Sequence, residues 1–198
     1  YGLEGSIFVA GSAIQWLRDG LKLFKSARET EEVVKLRQKD SKILVVPAFT
    51  GLGAPHWDPD ARGSIFGLTR DSGIPEITAA TLESVAFQTR DLISAMVKDG
   101  AAFTELRIDG GMSANSWFAQ QLANILNISV LRPKEIQTTA LGAAFLAGIQ
   151  AGFFSNINSL NSTWKCEQTF NPEKDKISVL SEKYKIWMSA VDRTKGLF

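Results

Sequence analysis

The segment Asp109–Asn115 combines residue types that suit a nucleotide site. It is expected to close a strand and open a helix, and Gly110 and Gly111 would let the backbone approach a ligand because no Cβ intervenes. The free N–H groups and positive dipole of a helix N-terminus suit a phosphate. Asn115 lies four residues beyond Gly111, so one helical turn would bring both to one face, where the amide could bind a purine or ribose. The alternative is a tight turn with Asn115 near a helix cap.

A second segment, Ala10–Gln15, repeats this spacing. Gly11 and Gln15 are four residues apart within a predicted helix, which places them on the same face. The alternative is an ordinary helix in which Gly11 allows a neighbour to pack closely, at a cost of about 1 kcal/mol relative to alanine.

The glycine- and proline-rich segment Phe49–Gly63 resembles a phosphate loop, but no Lys-Ser/Thr pair follows Gly51 and Gly53. It also contains His56, the single histidine of the chain. A catalytic role and a structural role are both open for this histidine.

Composition excludes several classes of protein. The 198 residues are 44% hydrophobic and 22% charged, with a net charge of +1, which is typical of a globular domain. No long basic run indicates nucleic-acid binding. A single cysteine, Cys166, excludes an internal disulfide and favours a reducing compartment. No apolar run approaches a membrane span, and no signal peptide is visible, so a cytoplasmic location is expected. The start at Tyr1 is interpreted as a cut inside a larger protein.

Hydrophobic periodicity predicts the elements that would position these residues. Helical segments are predicted at 8–24, 26–42 (an exposed helix and loop), 76–98, 114–126, 138–152 and 177–191. Strands are predicted at 43–47, 64–68, 105–109 and 128–131. The segments 49–67 and 153–175 are expected to be mainly turns and loop. The alternation after residue 100 predicts an α/β domain with parallel strands, and the Ala- and Gly-rich helix 138–152 is expected to lie close against a sheet.

One long motif resembles a known family. Gly63–Leu68, followed after seven residues by Glu76–Glu83, is similar to the C-terminal signature of the FGGY carbohydrate kinases. The preceding loop, Phe49–Gly63, resembles the version found in members that act on glycerol, whereas pentulose kinases usually carry a different loop. Further similarities lie in Glu4–Phe8, Gln15–Asp19, Asp109–Gly111 with Asn115, and Thr139–Ala144. The resemblance extends from residue 1 to about residue 153.

This resemblance implies an actin-like ATPase, ribonuclease H-like α/β domain, with a mixed sheet flanked by helices. Residues 1–198 would form the C-terminal, nucleotide-binding domain, with 154–198 a loop and a terminal helix packing on it. The residues implied to bind ATP or ADP are Gly11, Gln15, Gly110, Gly111 and Asn115.

The same resemblance implies that the general base, the phosphate loops and the ligands of Mg²⁺ lie in an N-terminal domain outside this chain. No catalytic or metal-binding residue is therefore assigned here, and the chain alone is expected to be inactive. The intact protein is expected to phosphorylate glycerol with ATP, and it is open whether it forms a homo-oligomer. The alternatives are a family member acting on a pentulose or gluconate, and a stand-alone nucleotide-binding module.

Overall fold

The computed structural model describes residues 2–38, 41–160 and 163–196. Its helices are α1 (Gly11–Asp19), α2 (Thr30–Lys35), α3 (Ile74–Lys98), α4 (Ser116–Leu126), α5 (Thr138–Gln150) and α6 (Lys174–Thr194). Its strands are β1 (Leu44–Val46), β2 (Ser64–Phe66), β3 (Glu105–Arg107), β4 (Ser129–Pro133) and β5 (Cys166–Phe170). Among the described residues, no helix has both the length and the apolarity needed to cross a bilayer.

Helix α3 lies at the centre of the core, and every residue from Thr78 to Gln88 is buried. It begins where the sequence predicts, with Pro75 in the first turn, where a missing N–H costs nothing. Helices α1, α2 and α4 and strand β1 all pack against it. Its apolar side chains join those of β1, β4 and α4 in one hydrophobic cluster.

Two small sheets flank this core. Strands β1 and β2 pair antiparallel, and Leu44 lies opposite Phe66. Strands β3 and β4 pair parallel, as the alternation predicts, and β4 pairs antiparallel with β5. The expected mixed sheet flanked by helices is confirmed.

The C-terminal helix α6 returns to the core through its apolar stripe. Trp187 is fully buried, and its indole N–H donates a 2.8 Å hydrogen bond to the carbonyl of Val45 in β1. Lys183 pairs with the buried carboxylate of Glu83 in α3 at 2.5 Å. Strand β5 lies in a segment expected to be loop, because four of its five residues are exposed and its sequence shows little hydrophobic alternation.

The first predicted helix is shorter in the structure than its periodicity indicates. Phe8, Leu21 and Leu23 carry the period, but helix α1 spans only Gly11–Asp19. The backbone of Ala10 is not helical, and Lys22 adopts a positive φ of 57°, so the chain turns away at both ends. The exposed segment that follows forms a short 3-10 helix, Ala27–Glu29, and then α2.

The prediction that the Ala- and Gly-rich helix lies close against a sheet is wrong for the described chain. Helix α5 forms at the expected place, but none of its residues is buried. Its neighbours are the short 3-10 helix Ile157–Leu160 and the ring of Phe154, which contacts Phe145. Small side chains permit close packing, but they do not supply the surface against which to pack.

Glu76, in the first turn of α3, binds the backbone of the segment that follows α2. Its carboxylate accepts hydrogen bonds from the backbone N–H groups of Gln38 at 2.8 Å and Gly73 at 3.0 Å. The bond from Gln38, together with its own N–H and that of Gly73, lowers the pKa of this carboxyl against the opposing effect of burial. The carboxylate form is thus the form that stabilises the fold.

We predict that Glu76→Gln lowers the free energy of unfolding at pH 7 by about 1–2 kcal/mol, because a charged acceptor is replaced by a neutral one. Since the folded pKa lies below the ordinary value of about 4.3, this stabilisation is present above that pH and is lost as the pH falls through the folded pKa. Urea unfolding at pH 7 and at lower pH values checks this. A deficit that stays constant as the pH falls through this range would contradict it.

Candidate functional site

Most of the predicted site residues meet in one cavity of about 420 Å³. Its walls come from α1 along its length, the start of α2 with the 3-10 turn before it, the middle of α3, and the 3-10 helix Gly111–Ala114 that follows β3. The lining residues are Ala10, Gly11, Ile14, Gln15, Arg18, Ala27, Thr30, Leu82, Asp109, Gly111, Met112 and Asn115. Segments about a hundred residues apart in sequence are therefore brought together by folding.

Helix α1 contributes one of its faces to this cavity. Gly11, Gln15 and Arg18 recur at helical spacing and all reach it. The segment entering the helix is held by Gln88 of α3, whose amide donates to the carbonyl of Val9 at 3.3 Å. A Cβ placed on Gly11 would lie 3.7 Å from the side chain of Met112, so the two segments face each other closely.

Asn115 caps a helix, as the structural alternative predicts, and it also lines the cavity. Its side-chain oxygen accepts from the N–H of Phe118 at 2.9 Å, which caps α4. Its NH₂ group donates to Thr30 Oγ1 at 3.1 Å, and the Thr30 hydroxyl donates to the carbonyl of Ala27 at 2.6 Å. The residue therefore lines the cavity and also joins α4 to α2. One amide hydrogen remains for a ligand.

The two adjacent glycines differ in role. Gly111 lines the cavity, and a Cβ added there would meet nothing within 4 Å. Gly110 is not among the lining residues, and its φ of +77° is a conformation that glycine adopts at little cost. Gly110 also donates its N–H to the carbonyl of Ile136 at 2.8 Å. Its direct contact with a nucleotide stays a prediction, while its turn brings Gly111 to the cavity.

Helix α4 does not start at the paired glycines as the phosphate argument requires. Residues Gly111–Ala114 form a 3-10 turn, and α4 begins only at Ser116. Its first N–H groups are already engaged, because Ser116 donates to the carboxylate of Glu31 at 3.2 Å and Phe118 donates to Asn115. The site at Gly111 therefore suits the adenosine of a nucleotide better than its phosphates.

Sequence reasoning missed five lining residues: Arg18, Ala27, Thr30, Leu82 and Met112. Helical spacing could have predicted Arg18, since it lies seven residues beyond Gly11 on the same helical face. It pairs with Asp19 at 2.7 Å, and the hydrogen bond to Asp19 raises the pKa of the guanidinium. Thr30 and Leu82 carry no local signal, because only tertiary packing brings α2 and α3 to this place.

His56 does not line the cavity, and its surroundings favour the structural alternative. Its ring nitrogen Nε2 lies 2.9 Å from a carboxylate oxygen of Asp91 in α3, and both side chains are almost completely buried. The other carboxylate oxygen accepts from the hydroxyl of Tyr184 in α6. Burial, together with Asp91, raises the pKa of the Tyr184 hydroxyl. The histidine thus anchors the glycine-rich loop to two helices.

The cavity combines an apolar floor with polar groups at its rim. Ile14, Leu82 and Met112 supply apolar surface, while Gln15 and Asn115 supply amides. In the part of the chain that the structure describes, no hydrogen bond engages the exposed side chain of Gln15. A flat heteroaromatic ring bearing polar edges fits such a site.

Comparison with known proteins identifies close relatives. The chain is 52% identical over 195 residues to a glycerol kinase of Marinomonas sp. (strain MWYL1), and 54% identical over 195 residues to one of Alteromonas mediterranea. Each match covers 98% of this chain but 39% of the relative. The chain therefore spans about two fifths of the length of these relatives.

Solved structures share the fold. Plasmodium falciparum glycerol kinase, determined with ADP, has a TM-score of 0.81 and 33% identity, and the match covers 96% of this chain and 38% of that one. Xylulose kinase from Lactobacillus acidophilus has a TM-score of 0.80 at 24% identity, covering 96% of this chain and 39% of that one. These likenesses confirm the expected actin-like fold class.

A family model described as the C-terminal domain of the FGGY family of carbohydrate kinases matches residues 1–151, which is most of the chain. The match, the relatives and the shared fold agree with one another, and the chain belongs to the FGGY family of carbohydrate kinases as a C-terminal domain.

Proposed function

We propose that this chain is the adenosine-binding part of an ATP-dependent glycerol kinase. The observation that carries the proposal is the single cavity into which Gly11, Gln15, Gly111 and Asn115 converge. The names of the most similar relatives and the resemblance of the loop Phe49–Gly63 support glycerol as the acceptor. A xylulose or gluconate kinase is the competing function, but the solved examples compared with this chain are 19–26% identical to it, against 33% for the solved glycerol kinase.

In the proposed reaction the γ-phosphoryl group of ATP passes to a terminal hydroxyl of glycerol, which loses its proton, and ADP leaves. Catalysis of this kind depends mainly on positioning and on stabilising the charge of the phosphates. The residues of this chain would hold the adenine and ribose between α1 and the 3-10 turn at Gly111. The remaining part of the kinase, a cytoplasmic protein, would supply the base, the phosphate contacts and the ligands of Mg²⁺.

The surroundings of Gly111 and Gly110 make a discriminating pair of variants. The test protein is a full-length chimera in which this chain replaces the 195 matched residues of the Marinomonas relative. We predict that Gly111→Val raises the KM for ATP at least about fivefold, roughly 1 kcal/mol of lost binding, without changing the melting temperature. A side chain there meets open space in the protein, so it obstructs only a ligand.

Gly110→Ala is the matched control for this test. A side chain at a φ of +77° is strained, so the melting temperature should fall while the KM for ATP changes less than in Gly111→Val. Steady-state kinetics with ATP and with glycerol, together with thermal melts of the same preparations, separate the two effects. An unchanged KM for ATP in Gly111→Val would remove this residue from the site.

The isolated 198-residue chain is expected to bind adenosine and ATP with similar, weak affinity and to show no kinase activity. Besides backbone, apolar groups and amides, the described cavity is lined by Thr30 and by the acidic Asp109, and its one guanidinium, that of Arg18, is paired with Asp19. Calorimetric titration with ATP and with adenosine checks this. Binding of ATP more than about tenfold tighter than adenosine would place a phosphate site in this chain and contradict the division proposed here.

A further inference from the structure

The side chain of Arg132 joins the sheet to the 3-10 turn Gly111–Ala114. Arg132 lies in β4, is not among the residues that line the cavity, and has a side chain that is 12% exposed. Its Nη1 lies 3.3 Å from the carbonyl oxygen of Ser113, 3.4 Å from that of Ala114 and 3.2 Å from the hydroxyl oxygen of Ser116. One guanidinium nitrogen therefore binds the end of the turn and the first residue of α4.

Strand β5 holds the rest of the same guanidinium. The Nε of Arg132 donates to the carboxylate of Glu167 at 2.9 Å, and its Nη2 donates to the side-chain oxygen of Gln168 at 2.7 Å. Its Cζ lies 5.4 Å from the centroid of the Phe170 ring. These contacts fix the plane of the group, so Nη1 is directed at the turn. Arginine suits this arrangement because its N–H donors form a rigid fork, which the ammonium group of lysine cannot reproduce.

The turn depends on hydrogen bonds more than on packing at the point where it reaches the cavity. A Cβ added to Gly110 or Gly111 would meet nothing within 4 Å, so no neighbour clamps the backbone at these positions. The start of the turn is held by the N–H of Gly110, which donates to the carbonyl of Ile136 at 2.8 Å. Its end is held by Arg132. The bonds from Nη1 are long and share two hydrogens, so each is weak, although the charge of the donor strengthens them.

We infer that Arg132 is a positioning residue for the nucleotide, because its fork fixes the turn that presents Gly111 to the cavity. The inference rests on the proposed function in one respect, namely that the cavity holds adenosine. Without the fork, the turn can move relative to α1, and the two walls no longer match the ligand. The loss should weaken the binding of ATP without a matching effect on glycerol, since no residue of the turn is proposed to contact glycerol.

Arg132→Leu and Arg107→Leu in the full-length chimera form a matched pair. Arg107 lies in β3 of the same sheet and has the same kinds of partner, since it pairs with Glu105 at 3.0 Å and its Cζ lies 4.3 Å from the ring centroid of Trp164. Neither partner belongs to the turn. We expect Arg132→Leu to raise the KM for ATP at least about threefold and to leave the KM for glycerol within about twofold, whereas Arg107→Leu should change neither.

Arg132→Lys separates the fork from the charge. This variant keeps a cation at the position but cannot bind β5 and the turn at the same time, so most of the increase in the KM for ATP should remain. The same variant carries the test if Arg132→Leu does not fold. A wild-type KM for ATP in Arg132→Lys would overturn the inference, because charge alone would then be sufficient.

The methyl group of Met112 gives a readout that needs neither nucleotide nor activity. Met112 lies within the turn, and its side chain faces Gly11 of α1. In the nucleotide-free chimera with isotope-labelled methionine methyl groups, we expect the NMR resonance of Met112 to broaden or to shift by more than its linewidth in Arg132→Leu. It should not change in Arg107→Leu, and the resonance of Met188 in α6 should stay the same in both. Substitution of Met112 by leucine assigns the signal.

Two further results would contradict the inference. The first is an Arg132→Leu chimera with a lower melting temperature but an unaltered Met112 resonance, which would make Arg132 a structural residue only. The second is an altered resonance with an unaltered KM for ATP. In that case Gly111→Val separates the two proposals: if it still raises the KM for ATP, only the inference about Arg132 fails, and if it does not, the proposed adenosine site fails as well.

Discussion

The burial on all sides of the middle of α3, from Thr78 to Gln88, is the constraint to which the rest of the structure conforms. A helix with this environment must satisfy its polar side chains internally, because an unpaired buried polar group is costly. The hydroxyls of Thr78, Thr81 and Ser84 accordingly donate to carbonyls of their own helix at 2.7–2.8 Å. With these groups satisfied, α1, α2, α4 and β1 can pack around the helix as an almost continuous apolar core.

The candidate site is a consequence of this packing. Leu82 of the same buried stretch forms part of the cavity wall, and Gln88, two turns further along, holds the chain that leads into Gly11. Asn115 then joins α4 to α2 through Thr30. The segment leading into Gly11 and the side chain of Asn115 are thus fixed by bonds that also stabilise the domain. Such a site is largely preorganised, which reduces the entropy lost on binding.

The last two helices, α5 and α6, differ in how complete their packing is. Helix α6 is held by the hydrogen bond from Trp187 to Val45 and by the ion pair of Lys183 with Glu83. The hydroxyl of its Tyr184 also donates to the carboxylate of Asp91, which lies within hydrogen-bond distance of His56. Helix α5, with a more apolar sequence, has no comparable contacts. Composition and environment agree in the first case and conflict in the second.

The sequence by itself determined the order and type of most elements and the family, because periodicity, Pro75 and the motif at Gly63–Glu83 are local signals. It also indicated Gly11, Gln15, Gly111 and Asn115 as candidate nucleotide-binding residues. Glycine lets a ligand approach the backbone, and an amide at helical spacing from it can form hydrogen bonds with that ligand. Only the tertiary structure decided that these four share a cavity with Thr30 and Leu82, and that Asn115 also caps α4 with its side-chain oxygen. The tertiary structure alone showed that Gly110 and Gly111 have different roles, that β5 pairs with β4, and that no residue of α5 is buried. The physical reason is that burial, pairing partners and backbone dihedral angles depend on residues distant in the chain, which no local pattern records.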